Sequence, residues 1–143
     1  MDASIIIINW NTRDLLVECI NSVYSTTRGI NFDIWVVDNG SSDGSVQALR
    51  ELFPDVNVIE NQSNLGFAKA CNQALKLMES KFAILLNSHT ILNDGAIKTV
   101  LDTMGKDPDI GLCGAQLLNP DGKNRIQSLI HRASQPNFST SLC

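Results

Sequence analysis

Four clusters of amide, hydroxyl and carboxylate residues each follow a short apolar run directly: Asn9-Trp10-Asn11, Asp38-Asn39-Gly40-Ser41-Ser42-Asp43, Asn61-Gln62-Ser63-Asn64-Leu65-Gly66 and Asn87-Ser88-His89-Thr90. These side chains can donate and accept hydrogen bonds in several directions, which suits the recognition of a polar small molecule. The same residue types also turn the chain, so any one cluster alone reads as a well-capped loop. No G-x-G-x-x-G and no G-x-x-x-x-G-K-[ST] is present, which removes the dinucleotide and P-loop readings at the motif level. Asn and Trp after the first apolar run suit hydrogen bonding to a base and stacking on it. They are poorly suited to cradling a pyrophosphate.

The elements that must hold these clusters are legible from periodicity. Ile5-Ile6-Ile7-Ile8, residues 32–37, 56–59 and 82–86 are short apolar runs of the kind found in strands buried on both faces. Between them lie stretches with apolar residues at helical spacing. One runs from Thr12, a plausible cap, to about Tyr24, and one over 45–53 is closed by Pro54 and capped by Ser42 or Asp43. A third carries Phe67, Cys71, Ala74, Leu75 and Met78. Asp94 is expected to cap a fourth, with Ile97, Val100, Leu101 and Met104 inward. Residues 110–118 read as a further strand, Asn119-Pro120-Asp121-Gly122 as a turn, and 125–130 as a returning strand. Strands alternating with helices imply crossover units, hence an α/β, doubly wound and mainly parallel sheet. In such a sheet the four polar clusters share one edge, so their side chains can converge.

At 143 residues the chain is one domain in size. A formal net charge of −4 gives no basic footprint, so nucleic acid is not expected as a partner. Cys19, Cys71, Cys113 and Cys143 show no metal or disulfide spacing, and Cys19 and Cys71 fall on apolar helical positions. That usage fits a reducing, cytoplasmic compartment. No run approaches the roughly 20 apolar residues of a membrane span.

Ser4-Ile5-Ile6-Ile7-Ile8-Asn9-Trp10-Asn11, Val36-Val37-Asp38-Asn39-Gly40-Ser41-Ser42-Asp43-Gly44-Ser45, Asn64-Leu65-Gly66-Phe67-Ala68-Lys69-Ala70 and Leu85-Leu86-Asn87-Ser88-His89-Thr90 occur in that order. Together they resemble the family 2 glycosyltransferases, inverting enzymes of the GT-A fold, and among them the rhamnosyltransferase-like branch. The resemblance implies a nucleotide-sugar-binding GT-A domain over residues 1–130, Rossmann-like and truncated. Residues 131–143 would be a disordered tail or the start of an acceptor-binding part. The implied activity is transfer of a sugar from a UDP- or dTDP-linked donor to a hydroxyl of a saccharide or lipid-linked acceptor, in cell-surface polysaccharide synthesis. The implied place is the cytoplasm, peripherally at the inner face of the membrane.

The resemblance also distributes roles. Asn9, Trp10 and Asn11 would line the base pocket, and Asp38 would accept from the imide N–H of uracil or thymine. Ser41 and Asp43 would lie near base and ribose, with Asn64 and Gly66 holding the loop under the nucleotide. Lys69 would face the diphosphate. Asn87 would sit beside it, and His89 would take the place of the last carboxylate in the family's Asp-x-Asp or Asn-x-Asp metal motif. That substitution weakens a divalent-cation site and favours manganese over magnesium, because imidazole is an acceptable ligand for the softer ion. The other reading of His89 is an ordinary loop residue at a site that no longer binds metal well.

No carboxylate after His89 falls in a motif that matches a general base, so the catalytic residue is left open. A non-catalytic nucleotide-sugar-binding fragment is therefore an alternative, and an unrelated small α/β regulatory or scaffolding domain is a third. A missing acceptor half would leave a sheet edge open, with self-association or a mobile stretch after about Leu129 as the consequence.

Overall fold

A computed structural model describes residues 1–115, 117–119, 124–125 and 130–132. The chain forms two compact units, Met1–Asp94 and Gly95–Cys143. In the first, β1 (Ala3–Asn9), α1 (Arg13–Thr26), β2 (Phe32–Asp38), α2 (Ser45–Leu52), β3 (Asn57–Glu60), α3 (Phe67–Leu75) and β4 (Phe82–Asn87) alternate strictly. Their strands make a parallel sheet in the order β3-β2-β1-β4. The chain winds outward from β1 to β3 and then returns through α3 to the far side of β1. The switch in direction therefore falls between β1 and β4, where open α/β sheets bind ligands.

The centre of the sheet is apolar for a physical reason. β1 is flanked on both sides, and Ile5, Ile6 and Ile7 are fully buried, each contributing roughly 1.5–3 kcal/mol of transfer free energy. Ile6 and Val37 pack with Ala70 and Ala74 of α3, with Ile8, Trp35, Ile59, Leu75 and Met78 around them. Alternation then sends Ile5, Ile7, Ile34 and Val36 to the opposite face, where right-handed crossovers place α1 and α2. Leu16, Cys19, Ile20 and Val23 of α1 and Leu49 of α2 are buried there. Cys19 and Cys71 thus act as small hydrophobes. Burial pushes the Cys19 thiol up to about 11, against a smaller opposing effect of the Thr90 backbone, so it is inert at neutral pH.

The strand at 82–86 departs from the expectation of a fully buried run. β4 alternates, with Ala83, Leu85 and Asn87 exposed, because these lie on the face of Ile6 and Ile8, where α3 packs mainly on β1 and β2. The helix starts also differ from the expected caps. Thr12 is the residue before α1 but makes no side-chain cap bond, and glycines with positive φ, Gly44 and Gly95, directly precede α2 and α4 (Ala96–Lys106) where Ser42, Asp43 or Asp94 was expected, although the Asp43 side chain still accepts from the N–H of Ser45 that opens α2. A left-handed residue at these positions suits glycine, and it moves Asp43 one place further out.

In the second unit α4 is followed by β5 (Ile110–Cys113), β6 (Leu117–Leu118), β7 (Asn124–Arg125) and β8 (Ile130–Arg132). The expected single strand over 110–118 is therefore two. β5 pairs antiparallel with β8 and β6 with β7, so the chain does return as the turn signal implied. Residues 120–122 of that signal, Leu129 and, of the tail expected over 131–143, residues 133–143 lie outside the described residues, while His131 and Arg132 belong to β8.

Candidate functional site

The site is built at the carboxyl edge of the first unit's sheet. Asn9 closes β1 and Asp38 closes β2, and the two are register partners. Both are buried, Asn9 at 0% exposure and Asp38 at 2%. Polar side chains this deep persist only when hydrogen-bonded, and here they bond each other: Asn9 Nδ2 donates to Asp38 Oδ1 at 2.8 Å. The second Asp38 oxygen accepts from the backbone N–H of Ser41 at 2.8 Å, which folds residues 38–41 into a tight turn. Ser41 Oγ accepts from Asn9 Nδ2 at 3.1 Å and from the Asn11 N–H at 2.8 Å. Asn11 Oδ1 accepts from the Ser42 N–H at 2.8 Å. The loops after β1 and β2 are thereby laced into one body.

Asn11 alone among the described non-glycine residues has positive φ, at 53°. Asn tolerates this conformation better than most, and in this structure it lets Asn11 reach Ser41 and Ser42 with backbone and side chain at once. Trp10, between the two asparagines, is 55% exposed at the strand end. An indole there offers an uncovered ring face for stacking.

Asp43 ties this loop to α1 and α2. Its Oδ2 accepts from the Arg13 N–H at 2.8 Å, and its Oδ1 from Ser45 N–H at 3.0 Å and Ser45 Oγ at 2.5 Å. Desolvation is the largest single influence on this carboxyl and raises its pKa. The bonds from Ser45 and Arg13 together outweigh it and hold the group below its ordinary value of 3.8.

The third cluster sits beside the second. Asn61 and Gln73 exchange amide hydrogen bonds at 2.9 and 2.8 Å, and Asn61 Nδ2 also reaches Asn39 Oδ1 at 3.0 Å. Asn64 Oδ1 accepts from the Gly66 N–H at 2.9 Å and turns the chain into α3. Gly66 has φ 81° and ψ 166°, a conformation nearly confined to glycine, with open space where a Cβ would stand. A tight approach within the chain is found at Gly40, whose Cβ would meet Ser63 Cα and N at 3.0 Å. Lys69 stands exposed in the first turn of α3, at the same sheet edge.

The fourth cluster borders the direction switch. Ser88 is buried, and its hydroxyl lies 2.8 Å from Thr12 Oγ1, which in turn donates to Asn9 Oδ1 at 2.7 Å. Asn87 and His89 are exposed on either side of it. The Asn87 carbonyl accepts from the Thr90 N–H at 3.0 Å. Among the described residues no three His, Cys, Asp or Glu side chains gather where they could hold a metal. From this loop a cation would find an imidazole and an amide but no carboxylate, a donor set that fits a hard divalent ion poorly.

The structure therefore brings Asn9, Asn11, Asp38, Ser41 and Asp43 into one network. Trp10, Asn64, Gly66, Lys69, Asn87 and His89 flank it on the same edge. Thr12, Ser88 and the Asn39-Asn61-Gln73 group are the polar residues to which sequence reasoning gave no site role. Asn9-x-x-Thr12 was the one available signal for Thr12, and it reads equally as a cap.

Residues 4–142 match the sequence model of the family described as Glycosyl transferase family 2. The chain belongs to that family. Its relatives include the N-acetylglucosaminyl-diphospho-decaprenol L-rhamnosyltransferase of Mycobacterium tuberculosis, 27% identical over 100 residues that cover 62% of this chain and 33% of that one. Chondroitin synthase of Escherichia coli is 30% identical over 107 residues, 73% of this chain and 15% of the relative. The chain thus spans about a third or less of the length of these two relatives. A mannosyltransferase of Pyrobaculum calidifontis, solved with GDP-Man and Mn2+, superposes with a TM-score of 0.74 at 21% identity, over 83% of this chain and 36% of that one. S. aureus TarS in complex with UDP gives 0.67 at 18% identity, over 86% and 43%. The likeness to these structures shows the fold: this family 2 chain has the α/β GT-A architecture. No helix among its described residues is long and apolar enough to cross a membrane.

Proposed function

We propose that this chain is the donor-binding part of an inverting glycosyltransferase that takes a UDP- or dTDP-linked sugar and serves transfer to a saccharide or lipid-linked hydroxyl in cell-surface polysaccharide synthesis. The observation that carries this reading is the laced pair of loops at the ends of β1 and β2, with buried Asn9 and Asp38 beneath them. Each Asp38 oxygen keeps a second lone pair, which suits the imide N–H of uracil or thymine. Trp10 supplies a ring face for the base. Asn64 and Gly66 shape the loop beneath the nucleotide, and Lys69 in the first turn of α3 favours the diphosphate, as does the positive end of that helix.

A divalent cation bound with such a donor would neutralise phosphate charge. This chain's residues offer it His89 and Asn87, so the phosphates themselves would supply most of the ligands, and manganese suits the imidazole better than magnesium. Cytoplasmic placement at the inner face of the membrane and association of two copies belong to the same proposal. A second reading, donor binding without transfer, is favoured by one observation: His89 stands where the metal-binding carboxylate of the resemblance is expected.

Calorimetric titration of the 143-residue chain with UDP, dTDP and ADP tests the first reading. Binding of UDP or dTDP at least about tenfold tighter than ADP is the expected result, since the wrong base leaves buried polar groups unpaired. Equal affinity for all three overturns it. Release of UDP from UDP-sugars, above the uncatalysed rate, would separate the enzyme from the non-catalytic binder.

A further inference from the structure

Asn39 follows the last residue of β2 and is only 2% exposed. Its backbone N–H donates to the Asn9 carbonyl at 2.8 Å, which carries the β1–β2 ladder one residue past the strands and sets Asn39 level with Trp10. Its amide oxygen accepts from Asn61 Nδ2 at 3.0 Å and lies 3.5 Å from the Leu65 backbone nitrogen. The reverse orientation would set the amide NH2 against the Leu65 N–H, a donor that cannot be turned. Asn61 is itself held by Gln73, with which it exchanges both amide bonds. The Asn39 oxygen is thus committed within the chain, and among the described residues nothing accepts from its nitrogen. A polar group this deep ordinarily has a partner in protein, water or ligand. The nitrogen is not sealed in, since the buried side-chain atoms without a partner among the described residues are Thr27 Oγ1 and Asp33 Oδ1. Asn39 therefore presents a donor, and only a donor, at the carboxyl edge of the sheet, level with the exposed Trp10 and next in sequence to Asp38.

We propose that Asn39 is a specificity-determining residue: its free amide NH2 donates to the base carbonyl beside the imide N–H that Asp38 accepts. This rests on the nucleotide-binding reading and deepens it. Uracil and thymine carry a carbonyl on each side of the imide. The one nearer the ribose is shared with cytosine, whereas cytosine has an amino group in place of the other. Asn39 is buried and the ribose must stay toward the opening, so the edge that reaches Asn39 is the one far from the ribose. There an amide NH2 meets a carbonyl in uracil or thymine, but faces another donor in cytosine. Cytosine would leave the Asn39 protons buried and unpaired, which is the costly case for a hydrogen-bonding site.

The experiment is calorimetry of UDP, CDP and ADP with wild type, Asn39→Asp and Asn39→Ala at pH 8, well above the carboxylate range. Wild type should bind UDP at least about tenfold tighter than CDP. Asn39→Asp is the sharper variant because it is isosteric. One carboxylate oxygen still accepts from Asn61 and Leu65, and only the outward atom changes, from donor to acceptor. Its added charge weakens every nucleoside diphosphate alike, so the UDP:CDP ratio isolates the base. Asn39→Ala should lower that ratio about fivefold, the size of one neutral hydrogen bond. Asn39→Asp should lower it further, since a carboxylate repels the carbonyl and accepts from the amino group of cytosine. Either variant alone reads the ratio if the other fails to fold. A purely structural tie between the second and third clusters would weaken UDP and CDP equally. A ratio unmoved by the substitutions, or a wild type that does not distinguish UDP from CDP, overturns the inference, while tighter binding of UDP than ADP keeps the nucleotide reading. Wild type binding none of the three overturns both together.

Discussion

Asp38 is held by its own chain on both oxygens, and that decides what its replacement does. Asn9 Nδ2 and the Ser41 N–H each point at one carboxylate oxygen. In Asp38→Asn an amide NH2 must face one of these two donors. Urea unfolding of Asp38→Asn should show a loss of about 1–3 kcal/mol, the cost of a buried donor left unpaired. A variant as stable as wild type would mean that the two bonds are not made. Asp43 behaves differently because it titrates within reach. Its folded-state pKa lies below its ordinary value of 3.8, so it binds protons less readily than in the unfolded chain. Its stabilising contribution is therefore present above about pH 4 and is lost as pH falls through the lower, folded-state pKa. Melting temperatures of wild type and Asp43→Asn should differ at pH 6 and converge toward pH 2. A gap that stays constant across that range would show that the carboxylate charge is not what holds Arg13 and Ser45.

At the scale of elements, the glycines separate two kinds of constraint. Gly40 and Gly29 both have positive φ, at 77° and 70°. A Cβ at Gly29 would meet nothing within 4 Å, whereas at Gly40 it would press on the Ser63 backbone at 3.0 Å. Gly29→Ala should lose only the left-handed penalty of about 1–2 kcal/mol, and Gly40→Ala should lose at least about 1 kcal/mol more by pushing the second and third clusters apart. Equal unfolding midpoints for the two variants would show that Ser63 yields freely. The positive φ at Gly40 was foreseeable from Asn-Gly after a strand. The approach of Ser63 was not, because residues 40 and 63 meet only through the β2–β3 pairing. The same divide separates β1 from β4. Ile5 to Ile8 announced a central strand, since four β-branched residues in a row must be covered on both faces. Phe82 to Leu86 is likewise an unbroken apolar run, yet α3 packs mainly on β1 and β2 and leaves alternate residues of β4 exposed. Composition reports burial, whereas position in the sheet decides it. Likewise Thr12 could be read only as a cap until the ends of β1 and β4 were set side by side, with Ser88 within 2.8 Å of it.

For the molecule as a whole, ligand and cation act through linkage to folding. A ligand at a hundred times its Kd adds about 2.7 kcal/mol to whatever unit holds its site, on the order of 10 °C in melting temperature for a domain this small. UDP or dTDP should therefore raise the melting temperature while ADP does so far less, and the cation dependence of that rise reports on His89. On the proposed reading a cation would meet His89, Asn87 and the diphosphate, and no carboxylate joins His89 in a metal-holding cluster among the described residues. Magnesium, reluctant to shed water and partial to oxygen, should add little to the UDP shift. Manganese accepts the imidazole and should add more. His89→Asp restores a charged oxygen ligand and should bring magnesium up toward manganese, whereas His89→Ala should remove the manganese increment and leave the metal-free shift intact. The decisive comparison is UDP with magnesium across wild type and both variants. A strong magnesium increment in wild type that survives His89→Ala would place the cation away from residues 87–89 and separate this loop from the diphosphate.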